Sequence, residues 1–263
     1  MSRKQSRTIS GWLLVPLIVV VAAGGWFALD PVLRRAQQTA EVSTAMPKDE
    51  FERRVRDYIL NNPEIIMEAA RRLEQLQQAA EEGEVTAVVK ARAEEILRDG
   101  DSPVSGNPNG NVSIVEFFDY NCPYCRQVTP IVMNAEQADS QLRVVYKEFP
   151  ILGPNSIFSA KAALAVHRQG KYLAFHKEMM LEHGVADEAK VLRIAAKIGV
   201  DVERMKSEMN DPAIAAMVER NIALAQALRI NGTPSFVIGD QVLRGAADLK
   251  TLQSLIQKAR GKQ

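Results

Sequence analysis

Cysteine is nearly missing from this chain: 263 residues carry two, Cys122 and Cys125. A secreted fold held by structural disulfides shows more cysteines at longer spacings, so a disulfide framework is excluded. The loop this pair could close is too short to gain much from cross-linking. The pair therefore reads as chemistry, with an inert structural link as the bland alternative. Histidine is scarce as well, only His167, His176 and His183, and most of these read as surface or packing residues. Structural zinc normally takes four ligands, and these spacings match no zinc-finger pattern, so no metal site and no cofactor are assigned. An excess of one charge is absent too: 33 basic and 32 acidic residues leave a net charge of +1, and no strong field points to nucleic acid. Internal repeats and low-complexity tracts are not evident. What remains is an ordinary globular balance, 46% hydrophobic and 25% charged, long enough to bury a useful core.

A long apolar run occurs once. Arg3, Lys4 and Arg7 precede an uncharged stretch from Thr8 to Leu29, strongly apolar between Leu13 and Ala23. That is the pattern of an export signal. Val21-Ala22-Ala23 offers a small-residue cleavage site. Against cleavage, the run can span a bilayer, which takes roughly 20 residues, and Trp12 and Trp26 bracket it as interfacial aromatics do. Residues 1–29 are thus a signal peptide or a membrane anchor, and everything after Leu29 lies outside the cytoplasm, where a disulfide persists.

Residues 30–46 are polar and irregular, a tether. Helical signals begin at Pro47, with Phe51, Val55, Tyr58 and Ile59 at helical spacing. Asn61-Asn62-Pro63-Glu64 interrupts them. Asn62 is suited to cap a new helix and Pro63 to its first position. Ile66, Ala69, Leu73, Leu76 and Ala80 then form a heptad-like stripe that Gly83 is placed to break, and Val85, Val88, Val89 and Ile96 make a further amphipathic stretch. The stripe over residues 47–98 must cover something, a second copy or its own chain. Heptad spacing favours pairing, so 47–98 is assigned as a helical oligomerisation region. Residues 99–111, rich in Gly, Asn, Asp and Pro, read as a linker.

The main domain, 112–263, starts with a buried strand from Val112 to Phe118. A helix from about Pro123 to Ala138 and a strand from Leu142 to Glu148 complete a β-α-β unit with parallel strands. About residues 155–228 form a helical insertion. Ser235–Ile238, a Gly239-Asp240 turn and Gln241–Arg244 form a hairpin, and a helix over about Ala247–Ala259 ends the chain. The fold class is α/β.

Thiol–disulfide exchange needs a nucleophilic thiolate and a second thiol near enough to displace the mixed disulfide. Cys122-Pro123-Tyr124-Cys125 at the start of a helix supplies both. The helix N-terminus favours a thiolate, and Pro123 fits the first helical position. Cys122 is expected to be the exposed attacker and Cys125, one turn in, the buried resolver. Pro123 and Tyr124 influence the potential. Paired thiolates also suit copper(I), which leaves a copper-binding protein as the alternative. Glu116, in the apolar strand six residues before Cys122, is either buried near the cysteines, where it would tune proton transfer, or faces outward. Pro234 stands between Thr233 and Ser235 before a strand, and by pattern alone it is an ordinary trans proline.

Val-Glu-Phe-Phe-Asp-Tyr-Asn-Cys-Pro-Tyr-Cys (115–125) and Gly-Thr-Pro-Ser-Phe-Val-Ile (232–238) closely resemble the DsbA-like branch of the thioredoxin fold. Tyr-Ile-Leu-Asn-Asn-Pro-Glu-Ile-Ile (58–66) resembles the N-terminal region of the suppressor-of-copper-sensitivity C proteins. The resemblance implies a thioredoxin-like fold with an inserted helical domain. It implies that Pro234 is the family's cis-proline facing the cysteines, that Thr233 and Pro234 hold an extended substrate, and that Glu116 is the buried acid beside the cysteines. It also implies oligomerisation through the N-terminal region. The expected function is a periplasmic protein disulfide oxidoreductase or isomerase. Its partners are cysteine-containing proteins and a membrane redox protein, and residues 8–29 hold it to the inner membrane if they are retained.

Overall fold

The computed structural model describes residues 46–261. The signal or anchor segment and nearly all of the tether lie outside the described residues. No helix among the described residues is long and apolar enough to cross a membrane.

The chain divides into two compact units, residues 1–73 and 74–263. The described part of the first holds α1 (Lys48–Asn61) and the opening turns of α2 (Glu64–Ala91). Asn62 does not cap α2 as its sequence position suggests. Its side-chain Nδ2 donates to the Tyr58 carbonyl at 2.7 Å, and its backbone N–H to the Tyr58 and Ile59 carbonyls, so it closes α1 instead. The orphan carbonyls at that helix end lie within reach of the Asn62 donors, which is what turns the side chain back. Phe51, Val55, Tyr58, Ile66, Met67 and Leu73 all remain exposed.

The second unit begins inside α2. Gly83 does not break this helix, which continues to Ala91. A glycine in an exposed helix costs about 1 kcal/mol, and burial of Val85 and Val89 just beyond it outweighs that loss. With α3 (Ala93–Leu97) and its buried Ile96, this end of α2 lies on one face of a five-stranded sheet. The strands are β1 (Val104–Gly106), β2 (Val112–Phe118), β3 (Leu142–Glu148), β4 (Ser235–Ile238) and β5 (Gln241–Arg244), in spatial order β1-β3-β2-β4-β5. β2 and β3 are parallel, joined by α4 (Pro123–Ala138); the other pairs are antiparallel.

The reading of 99–111 as a linker needs correction. Val104–Gly106 is an edge strand paired antiparallel with β3, and Asp99 is bound to the buried Lys147 at 2.5 Å. Three residues between turn formers show no alternation, so only the free edge of β3 reveals them as a strand. Gly106 has φ +70°, and a Cβ there would sit 2.5 Å from the Leu142 carbonyl oxygen; the close approach of the two chains requires glycine.

Every residue of β2 is buried, because both faces of the sheet are covered. Val115 and Phe117 face α2, α3 and the following helices of that layer. Val112, Ile114, Glu116 and Phe118 alternate onto the other face, where the larger core lies. That core includes the helices α5 (Pro154–Arg168), α6 (Tyr172–Leu181), α7 (Glu188–Lys197), α8 (Val202–Glu208) and α9 (Pro212–Ala227), plus the terminal α10 (Leu249–Arg260). Side chains of Asp187, Asp201, Asp211 and Asp248 cap α7, α8, α9 and α10 by accepting first-turn N–H groups.

Candidate active site

The buried strand β2 ends in a short turn, and α4 starts directly after it. Cys122 caps that helix: its backbone is extended, Pro123 follows in the first turn, and its Sγ accepts from the Cys125 N–H at 3.4 Å. The turn is tied down by Asp119, whose carboxylate accepts from the N–H groups of Asn121, Ile151 and Leu152 at 2.8–3.0 Å. Asn121 extends the anchorage into the insertion, accepting from Ala186 N–H and donating to Ser156 Oγ. The nucleophile position is therefore held on both flanks.

The Thr233–Pro234 peptide is cis. Its loop lies against the cysteines, with Cys122 Sγ donating to the Thr233 carbonyl at 3.2 Å. The Gly245 N–H, at the end of β5, holds the Pro234 carbonyl from behind at 2.9 Å. Cys122 is consequently 3% exposed rather than open to solvent as a helix-cap position suggests. Its cover comes from a loop 111 residues away, which no local pattern reveals. Pro123 is exposed and Tyr124 is 58% exposed, presenting the outer edge of the turn. A groove of about 730 Å³ runs beside Thr233 and Pro234, lined also by Gln226, Arg229 and Arg244.

Both cysteines are free thiols, and they differ sharply. The Cys122 thiol is lowered to about 6, first by a hydrogen bond from Cys125 and then, against the effect of burial, by the Thr233 side chain and the N–H groups of Cys125 and Tyr124. Burial pushes the Cys125 thiol far up, and its hydrogen bond to Cys122 and the charge of Glu116 add to this. The first sulfur thus ionises far more readily than its neighbour.

Of the two readings of Glu116, burial is the observed one. Glu116 is 1% exposed on the cysteine side of the sheet, and burial followed by the negative charge of Cys122 raises its carboxyl to about 8. Its Oε1 has no hydrogen-bond partner among the described residues. In register Glu116 faces Tyr146 on β3 and Phe236 on β4. It borders a cavity of about 130 Å³ whose lining includes Ser105, Glu136, Tyr146 and His176.

These cavity residues were not singled out from the sequence. Tyr146 was detectable only through the parallel β2/β3 register, and Ser105 only by recognising β1. His176 is 4% exposed, lowered to about 3 by burial, and ringed by Phe118, Tyr146 and Tyr172. Its Nδ1 is 3.4 Å from the Tyr120 hydroxyl, which donates to the buried Glu148 at 3.3 Å. Among the described residues no three His, Cys, Asp or Glu side chains are grouped to hold a metal ion.

Residues 113–257 match the DSBA-like thioredoxin domain, and residues 48–80 match the copper resistance protein ScsC N-terminal domain. A thioredoxin-like oxidoreductase from Silicibacter pomeroyi DSS-3 is 46% identical, covering 64% of this chain and 97% of that one, with a TM-score of 0.63. Proteus mirabilis ScsC in a transitional conformation is 27% identical over 82% of this chain and 98% of its own, with a TM-score of 0.62. The thiol:disulfide interchange protein DsbA of Bordetella parapertussis is 30% identical over 60% of this chain and 81% of its own. The chain also resembles Na(+)/H(+) antiporters NhaA, of whose length it spans about a quarter; that of Herminiimonas arsenicoxydans is 28% identical over 25% of its length.

Proposed function

Since this chain belongs to the DSBA-like thioredoxin domain family by its residues 113–257, we propose that it is a periplasmic protein thiol–disulfide oxidoreductase in which Cys122 attacks and Cys125 resolves. One observation carries the reading: a Cys122 sulfur at a helix N-terminus, 3.4 Å from the Cys125 N–H and 3.2 Å from the carbonyl that precedes cis-Pro234. The helix end and the Cys125 thiol favour the thiolate. The cis-proline loop offers backbone groups to an extended substrate segment lying along the groove, so that its sulfur approaches Cys122. Pro123 and Tyr124, on the rim, adjust potential and access. Glu116 is the buried group that exchanges a proton with Cys125.

In the resolving step the Cys122 thiolate has displaced one sulfur of a substrate disulfide. Cys125, having lost its proton, then forms the Cys122–Cys125 bond and releases the substrate's second sulfur as a thiolate. Run backwards, the same steps oxidise a substrate dithiol. Direction follows from the potential of the pair, measured in glutathione buffers. A value near the roughly −120 mV of a strong oxidant makes it a disulfide donor, and a much lower one a reductase or isomerase. Exchange with a disulfide peptide is expected to vanish in Cys122→Ser; full activity in that variant would end this reading.

The exposed apolar stripe of α1 and early α2 supports self-association, and the partners are expected to be cysteine-containing exported proteins and a membrane redox protein. Copper(I) held by the same thiol pair has the match of residues 48–80 in its favour. Equilibrium dialysis of the reduced protein against a modest chelator tests it, and failure to retain the ion removes it.

A further inference from the structure

The groove beside the cis-proline loop has a polar wall. Apart from Pro234, no described residue lining it carries an apolar side chain. Thr233 and Pro234 mark the end next to the cysteines, where the Thr233 carbonyl meets Cys122 Sγ at 3.2 Å. The exposed Gln226, Arg229 and Arg244 continue the wall, joined by Glu81 of α2. Two guanidinium groups against one carboxylate leave this wall net positive, although the chain as a whole is nearly neutral at +1. A segment lying here has little but Pro234 to pack apolar groups on, so charge is what the wall reads.

The two guanidinium groups are held differently. Arg244, the last residue of β5, donates from Nε to the Arg229 carbonyl at 3.0 Å and from Nη2 to the Leu228 carbonyl at 3.1 Å. These carbonyls lie just past the end of α9. They fix the planar fork without neutralising it, and a fork fixed in advance loses little freedom on meeting a carboxylate. Arg229 is instead paired with carboxylates of α2, Glu81 at 3.4 Å and Glu84 at 2.6 Å. The three side chains are 47%, 61% and 66% exposed in that order, and pairs so exposed contribute little. Glu81 is the one of the two carboxylates that lines the groove, so a carboxylate arriving along the groove can take its place at little cost.

We infer that this groove selects substrate segments carrying an aspartate or glutamate close to the reactive cysteine. Arg244 is the fixed receptor, Arg229 the exchangeable one and Glu81 a built-in competitor. The inference rests on the exchange reading above and adds to it the chemistry of the substrate. In the attack, a bond forms between Cys122 and a substrate sulfur as the substrate's own S–S bond breaks. The leaving sulfur takes the electron pair and is protonated by solvent. Arg229 and Arg244 take no part in that bond change; they hold the segment on which it occurs. A carboxylate beside the reactive cysteine gains a charge-assisted hydrogen bond there, whereas a lysine at the same position meets like charge. Because the groups of the wall are exposed, salt weakens the selection.

The test uses the reduced full chain in stopped flow with three peptides, each carrying one cysteine as a thiopyridyl mixed disulfide. The residues flanking that cysteine are Asp, Asn or Lys, and the peptides are otherwise identical. Attack by Cys122 on the peptide sulfur releases thiopyridone, whose absorbance gives the rate. Each rate is divided by that of the same peptide with a small neutral thiol, which removes differences in intrinsic reactivity. At low ionic strength the Asp peptide is expected to react about tenfold faster than the Lys peptide, the low end of electrostatically assisted association. In high salt the ratio is expected to fall toward one. Arg229→Gln with Arg244→Gln is expected to bring the low-salt ratio within about twofold, and Glu81→Gln to raise it about threefold, the scale of one exposed pair. Glu203→Gln, which removes one carboxylate at an 85% exposed site outside the groove, is expected to leave the ratio as it was. Glu81→Gln does not touch the fastening of Arg244 to the end of α9, so it carries the test if the double variant does not fold. Equal rates for the three peptides, a ratio that survives loss of both arginines, or one that Glu203→Gln moves as far as Glu81→Gln does overturns the selection while leaving the exchange reading intact. No thiopyridone from any peptide with the unmodified protein would instead overturn the exchange reading.

Discussion

Two cysteines one helical turn apart differ because of what surrounds each sulfur. Cys122 receives hydrogen bonds at the start of α4, whereas Cys125 sits behind it in apolar packing and keeps its proton while donating a hydrogen bond to Cys122. The ultraviolet thiolate absorbance of the reduced protein is therefore expected to titrate near pH 6. Cys125→Ala, which removes the largest contribution, is expected to move that midpoint upward. Because the folded value lies below the unfolded one of 9.0, this group's contribution to the stability of the reduced form is present above the unfolded pKa and is lost as pH falls from about 9 to about 6. Glu116 has the opposite sign. Its folded value, about 8, lies above the unfolded 4.5, so its contribution is full below 4.5 and lost as pH rises to about 8. Glu116→Gln is expected to remove that slope and to raise stability at pH 7 by about 3 kcal/mol, an order-of-magnitude figure from the span between 4.5 and pH 7 at about 1.4 kcal/mol per pKa unit. Urea midpoints across pH 4–9 check this. An unchanged slope in Glu116→Gln would mean that the carboxyl is ionised in the fold. His176, neutral when buried and lowered to about 3 against 6.5 unfolded, favours the fold above pH 6.5 and ceases to as pH falls toward 3.

Among the elements, the segment before β2 changed most between sequence and structure. Asp99, Ser102 and β1 fasten residues 99–111 to β3 through a buried ion pair and an edge strand. Asp99→Ala would leave the 1% exposed Lys147 ammonium with only the Glu95 carbonyl. Breaking a buried pair from one side costs about 3–5 kcal/mol, and part of that is expected here since Asp99 is only partly buried. A variant within about 0.5 kcal/mol of the parent in urea unfolding would show a true linker. Ile96→Ala, at a fully buried position of α3, is expected to cost about 2–5 kcal/mol. Regular elements such as β2, α4 and β3 were legible because a hydrophobic run, a proline at the first helical position and a short turn are local signals. β1 was not, because an edge strand of three residues is defined by its partner. Asn62 and Gly83 failed in the same way: a capping residue can bond either helix, and a helix continues through glycine when packing beyond it is strong.

At the scale of the whole molecule, the apolar residues of α1 and early α2 find no cover among the described residues of their unit: Phe51, Tyr58, Ile66 and Leu73 are each more than half exposed. Ile66→Glu with Leu73→Glu is expected to reduce an oligomer to a monomer in light scattering, while the reaction of Cys122 with an aryl disulfide is kept. A parent already monomeric at micromolar concentration would remove self-association from the account. The sequence by itself determined what depends on neighbours along the chain: the cysteine spacing, the helix start that activates the first sulfur, the strand that carries Glu116, and the order of the α/β elements. The tertiary structure alone decided which distant groups meet. It laid Thr233 and cis-Pro234 over Cys122, turned Glu116 toward the cysteines with Tyr146 beside it, and brought Ser105 to Glu136. The reason is physical. Propensity and capping act over a few residues, but strand register and sheet order are set by the burial of the entire core, and a one-residue slip in β3 would carry Tyr146 to the opposite face.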